Sequence, residues 1–246
     1  MKQQRGNILF LILLAVILFA ALSYAVTRGE RGQVQSVSPE RAQTLASQMV
    51  QAATLTENSL RRFILSTDLP PGKIDLFKTG FTSNGDVTGC ASSTCNLYDP
   101  AGGNVTVPML PAEAFDTAAA NCSSNYGPLV DGRPRPRVFI ASVNGIGTDL
   151  PELVLVTCGV KIEVCRAINY AMGLMKAGDA DIANKHGAQA SNDYQNYSGN
   201  VYPLPVTNAG QFGVDDARVK GQRTFCSYDN PSNNYGNWFY HVLWEQ

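Results

Sequence analysis

Charge is scarce in this chain: only 16% of its 246 residues are Asp, Glu, Lys or Arg, and they sum to a net charge of -1. Soluble domains usually carry about a quarter. There is no basic surplus and no long run of like charge. A face that tracks nucleic-acid phosphates needs clustered Lys and Arg, so nucleic acid is not expected as a partner. The charges that are present read as a mixed, solvated surface. Histidine is scarcer still, with His186 and His241 alone, and no CxxC pair occurs. Both shortages argue against zinc, whose sites draw on closely spaced Cys and His. A Walker loop, GxGxxG, HExxH and GxSxG are all missing. No cofactor and no enzymatic activity are therefore expected. His186, among Gly, Asn and Lys, reads as a solvated loop residue. His241, in an aromatic run, reads as a hydrogen-bonded structural histidine. The carboxylate pairs Asp179/Asp181 and Asp215/Asp216 do not follow the EF-hand spacing, and no metal site is assigned.

Acid is absent from the start of the chain as well, since Glu30 is the first carboxylate. What stands there instead is grease. Ile8 to Leu22 holds no polar residue, and extension to Val26 gives 19 residues. At about 1.5 Å per residue such a helix is roughly 28 Å long, close to the ~30 Å hydrocarbon core of a bilayer. Lys2 and Arg5 precede it, which keeps the N-terminus cytoplasmic and places the rest outside. A cleaved secretory signal would have a shorter apolar region ending in a small-x-small site. Ala20, Ala21, Ser23 and Ala25 supply small residues, but the run is long and leads towards another helix. An uncleaved anchor is the other reading.

Gln4-Arg5-Gly6, followed at once by this run, resembles the class III leader of type IV pilin-like proteins, in particular the large minor pseudopilins of type II secretion and minor pilins with a QRG leader. The resemblance covers roughly residues 1–65. It implies a prepilin peptidase that cuts after Gly6 and leaves Asn7 as the first mature residue. It further implies that Ile8, Leu11, Leu14, Leu18 and Leu22 serve membrane storage and helix–helix packing. The implied partners are membrane lipid and other pilin-like subunits or envelope proteins. One residue departs from the pattern: most pilins carry Glu at the fifth mature position, and here it is Leu11. Some tip-located minor pseudopilins also lack that Glu, so the departure points to a tip or accessory role. Some of them bind calcium.

Ser36 to Ser66 reads as a long amphipathic helix. Ser38 can cap it, Pro39 suits its first position, and Glu40 complements its positive end. Leu45, Met49, Ala52, Ala53, Leu60, Phe63 and Ile64 recur at three- and four-residue steps, and Pro70-Pro71 stops the helix. Between the apolar run and this helix, Gly29, Gly32 and Pro39 predict a broken connector.

From Leu69 onward the pattern is of short apolar runs between turns. Lys73–Phe77 predicts a short strand, and a short helix is expected near Pro111–Cys122. Pro136–Val143 and Pro151–Cys158 predict a hairpin with the second strand central. Lys161–Asp179 predicts a helix with Ile162, Cys165, Ile168 and Met172 on one face, which Gly178 can end. Gln189–Gly213 reads as a long surface loop, and the aromatic C-terminus as a buried strand. Six cysteines, an even number behind an export-type N-terminus, predict disulfides in an oxidising compartment. Cys90 and Cys95 enclose a short loop. Cys165 with Cys226 would tie the helix to the terminal strand region, leaving Cys122 with Cys158.

The fold expected is α+β: a transmembrane helix, an amphipathic helix, then a disulfide-bonded head with an antiparallel sheet. Its divisions are a leader at 1–6, the transmembrane or assembly helix at 7–27, a connector at 28–38, the amphipathic helix at 39–67 and an extracytoplasmic head at 68–246. The expected role is a structural or assembly subunit of a pilus or type II secretion-like system. It would sit in the bacterial inner membrane, with the head periplasmic or in an extracellular filament. The alternative is an uncleaved, membrane-tethered periplasmic module that binds an envelope protein or glycan through the loop Gln189–Gly213.

Overall fold

The computed structural model describes residues 12, 14–18, 37–76, 92–107, 109–116, 137–143, 145–146, 152–182, 195–196, 211–212, 216–228 and 236–245. The chain divides into two compact units, Met1–Val37 and Ser38–Gln246. In the first, Ile12 and Leu14–Leu18 are α-helical, and their side chains are exposed. Among the described residues no helix is long and apolar enough to cross a membrane; the apolar run Ile8–Val26 lies mostly outside them.

The second unit is α+β. Its first element is helix α1, Pro39–Thr67. Ser38 caps it by accepting from the Arg41 N–H at 3.3 Å, Pro39 occupies the first turn and Glu40 adds the favoured charge there. The helix closes at Asp68, in the left-handed region at φ 54°. Ala42, Leu45, Ala46, Met49, Ala52, Ala53, Thr56, Leu60 and Phe63 are buried along one stripe. Ile64 is only half-buried, because it lies at the edge of that stripe.

Among the described residues six strands follow: β1 (Arg137–Val143), β2 (Glu152–Val160), β3 (Gln195–Asn196), β4 (Gln211–Phe212), β5 (Thr224–Ser227) and β6 (Asn237–Trp244). The sheet order is β3-β1-β2-β6-β5, with β4 also pairing to β1. Strands β1 and β2 form the expected antiparallel hairpin, with Phe139 opposite Val154. Strand β2 is buried along its whole length and lies between β1 and β6, as its continuous apolar run requires. Strand β6 is buried between β2 and β5, and leaving its rings in water would cost about 1.5–3 kcal/mol for each large side chain.

Alternation along the strands separates two faces. Val154, Val156, Cys158, Phe225, Trp238, Tyr240 and Val242 join Ile146, Leu174, Met175, Ile182 and Val219 in one core. Phe225 stacks on Tyr240 across β5 and β6, with ring centroids 4.8 Å apart. The opposite face of β5 and β6 receives α1 and a second helix, α2 (Ile162–Ala171).

Three local expectations are corrected. Of the strand expected at Lys73–Phe77, the described residues 73–76 are not a strand: Pro71–Lys73 forms a 3-10 turn, where proline sets the backbone, and Asp75 makes a single bridge to Asn96; Phe77 lies outside the described residues. Helix α2 stops at Ala171 rather than running to Gly178. Gly173 at φ 72° takes the left-handed position, its N–H donates to the Tyr170 carbonyl, and the Leu174 N–H donates to the Asn169 carbonyl. That Schellman closure satisfies the helix end before Gly178 is reached. The stretch Gln189–Gly213 is not wholly loop, because β3 runs antiparallel to β1 and β4 parallel to it. Near Pro111–Cys122, Ala112–Ala114 forms a 3-10 turn, and residues 117–122 lie outside the described set.

Candidate functional site

Two clusters of chemically capable side chains lie between the helices and the strands β5 and β6. The first is built on Glu57. This residue sits on α1 next to the buried stripe, so its carboxylate is carried towards the sheet rather than into water. Its side chain is 14% exposed. His241 of β6 faces it, with Nε2 at 3.0 Å from Oε2, and the Thr224 hydroxyl of β5 lies 2.7 Å from Nδ1. A carboxylate only accepts, so Nε2 carries the proton donated to Glu57, and the Thr224 hydroxyl donates to Nδ1. Arg223 reaches the other oxygen of Glu57 at 2.7 Å, and Arg61 reaches it at 3.1 Å from one helical turn on. Arg223 also pairs with Glu245 and donates to the Val242 carbonyl at 3.2 Å. The Arg61 guanidinium stands over the Trp244 ring, 5.7 Å from its centroid.

Burial pushes His241 below its ordinary value, against the raising influence of Glu57, so the fold favours the neutral ring. Thr, His and Glu in a row have the ingredients of a nucleophile relay. Here Thr224 is 8% exposed and His241 is 4% exposed, so neither offers a reactive atom to a solute. Both ring nitrogens are engaged within the protein. The arrangement is a polar seam that fastens α1 to the last two strands, with its buried groups hydrogen-bonded.

The second cluster gathers at Cys226. Its sulfur is bonded to Cys165 of α2. One turn further along α2, Asn169 is 2% exposed and uses both ends of its amide on the same residue. Nδ2 donates to the Cys226 carbonyl at 2.8 Å, and Oδ1 accepts from the Cys226 N–H at 2.9 Å.

A third feature is an open cleft of about 410 Å³ lined by Asn96, Tyr98, Asp99, Pro100, Asn104, Val105 and Thr106. Its walls are one tightly wound loop. The Asn96 side chain accepts from the Tyr98 and Asp99 N–H groups and donates to Asp75 at 2.8 Å. Burial, and after it the nearby Asp75 carboxylate, pushes the Tyr98 phenol well above its ordinary value, so it keeps its proton.

Of the residues singled out from sequence, Leu14 and Leu18 lie in the short described helix and are exposed. Gly6, Asn7, Ile8, Leu11 and Leu22 lie outside the described residues, as do His186 and Asp215. Cys165 and Cys226 are joined as expected. Cys95 and Cys158 are disulfide-bonded too, while Cys90 and Cys122, their expected partners, lie outside the described residues. The described carboxylates among those considered for calcium, Asp179, Asp181 and Asp216, are otherwise engaged. Asp181 pairs with Arg166 at 2.8 Å, Asp179 accepts from the Lys176 N–H at 2.7 Å, and Asp216 pairs with Arg218. Arg218 holds the Asp216 carboxyl below its ordinary value. Among the described residues no group of three or more His, Cys, Asp or Glu side chains could hold a metal ion.

Glu57, Arg223, Thr224 and Asn169 did not emerge from the sequence. Glu57 left one trace, a charge beside the apolar stripe of α1. Asn169 left another, a polar residue four positions after Cys165. No protein-family model, no curated protein and no solved structure matches the chain.

Proposed function

We propose that this chain is a membrane-anchored structural or assembly subunit of the bacterial cell envelope, of the minor pilin or pseudopilin kind. The observation that carries the reading is a basic Gln4-Arg5-Gly6 leader running directly into an apolar segment whose described helical residues, Ile12, Leu14, Val16, Ile17 and Leu18, are bare. Exposed apolar helix of this kind needs lipid or a neighbouring helix to cover it. The capped 29-residue α1, laid on a disulfide-bonded α+β unit, supports the same reading by offering a rigid base for a head. Ile8 to Val26 would serve as the transmembrane or assembly helix, with the head outside the inner membrane. Prepilin peptidase would act after Gly6.

The test is the intact mass of the protein from its native membrane. Loss of residues 1–6 from the native chain, and retention of the leader in a Gly6→Leu variant, is the expected result. Full-length native protein would overturn the processed-subunit reading. It would support instead an uncleaved, tethered module that binds an envelope protein or glycan. Leu11 in place of Glu, and the glycines of the connector, favour that second account.

A further inference from the structure

We infer that Asn169 directs the oxidative pairing of Cys226 with Cys165. Six cysteines admit many pairings, so something beyond chance encounter must select this one. The two partners are 61 positions apart, and chain connectivity alone brings them together weakly. Strand pairing registers β5 on β6, with Cys226 opposite Phe239. It does not by itself decide where α2 lies along β5.

Asn169 supplies that link. Its amide reproduces the donor-and-acceptor pair of a neighbouring strand and closes on the backbone of Cys226, while Nδ2 also donates to the Met175 sulfur at 3.6 Å. Cys165 and Asn169 are four apart on α2, so they share a face of the helix. Once the amide has closed, the Cys165 sulfur stands over the Cys226 side chain, with the two Cα atoms 5.3 Å apart, within the range a disulfide spans. Cys158 is kept from this competition by sheet alternation, because it belongs to the core on the other face.

The chemistry is thiol–disulfide exchange with a small disulfide oxidant. One of the two thiolates attacks the oxidant and forms a mixed disulfide, expelling one oxidant thiolate. The second protein thiolate then attacks the protein sulfur of that mixed disulfide. The Cys165–Cys226 bond forms and the other oxidant thiolate leaves. Two electrons pass to the oxidant, and the two thiol protons pass to solvent. Asn169 takes no part in these bonds. It is a positioning residue that raises the effective concentration of one thiol at the other.

The test uses the full chain in detergent, reduced and denatured, then refolded in a glutathione buffer. Pairing is read by non-reducing peptide mapping, and the effective concentration from the glutathione dependence of the bond. For Asn169→Ala we expect about a tenfold fall in effective concentration, which is ~1.4 kcal/mol and the scale of two net hydrogen bonds. Cys165 should also be found with other cysteines. Asn169→Asp, which sets a buried carboxylate oxygen against the Cys226 carbonyl, should fall at least as far. Ile168→Val is the control, since it loosens the same helix at a buried site without touching the amide. Native pairing in Asn169→Ala at wild-type effective concentration would overturn the inference. So would an equal loss in Ile168→Val, because Asn169 would then act only through the stability of α2.

Discussion

His241 shows how a single titratable side chain can make the stability of this fold depend on pH. The folded protein holds the ring below its ordinary value through burial, while the unfolded chain returns it to about 6.5. The unfolded state therefore binds more protons in the window below about 6.5. Stability should be level above that value and fall as pH drops through the window. The groups facing the ring are Glu57 from α1, Thr224 from β5 and the nearby Arg223; Glu57 moderates the fall and Arg223 adds to it. Urea unfolding midpoints measured at several pH values should show this slope in the native chain and lose it in His241→Gln. Asp216 contributes in a separate window. Arg218 holds it low, so its part is present above about 3.8 and disappears only in stronger acid.

Gly102 argues the same scale from sterics. A Cβ there would lie 2.1 Å from the Asn96 carbonyl oxygen and 2.7 Å from that of Ser93, both fixed backbone atoms. Gly102→Ala must therefore push the loop open, at a cost of about 1–3 kcal/mol typical of overpacking. Thermal unfolding should register it. Two adjacent glycines signal a turn, but nothing local tells that this turn folds back on Asn96 and Leu97.

At the scale of the element, α1 was legible almost to the residue. Ser38, Pro39 and Glu40 mark its start, the Pro70-Pro71 pair lies just beyond its end, and a single stripe of apolar positions needed one face covered. These are local signals, and local chemistry decides them. Leu60 and Leu55 make a direct test of that stripe. Leu60 is fully buried and Leu55 is 52% exposed. Leu60→Ala should cost about 2–5 kcal/mol by leaving a cavity, while Leu55→Ala should stay within about 0.5 kcal/mol. Comparable losses at both sites, measured by chemical denaturation, would mean that the stripe does not face the sheet as described. The two short strands within Gln189–Gly213 were not legible. Two residues carry no readable period, and they are strands only because β1 offers an edge to pair with.

For the whole molecule, the Cys165–Cys226 bond ties α2 to an edge strand of the sheet across a separation of 61 residues. Closing a loop of that size is worth about 4 kcal/mol through the unfolded chain. Replacing both cysteines by Ala should lower stability by that order, read as a drop in the denaturation midpoint with a steeper slope, because the freed unfolded chain exposes more surface. Replacing only one would also leave a free thiol and confuse the measurement.

The amino-acid sequence alone determined the features that short-range physics controls: the apolar run and its basic flank, the start and face of α1, the β1–β2 hairpin, and the burial of the aromatic C-terminus. Each depends on spacing, turn chemistry or hydrophobicity within a few residues. The tertiary structure decided what meets across the chain. Glu57 reaches His241 from 184 positions away, and Asn169 closes on Cys226 from 57 away. No local pattern encodes such pairings, because the partners acquire their relation only when the helices dock on the sheet. His241 and Asn169 are buried, and Glu57 half-buried, where the docked partner supplies the hydrogen bonds that water gave them.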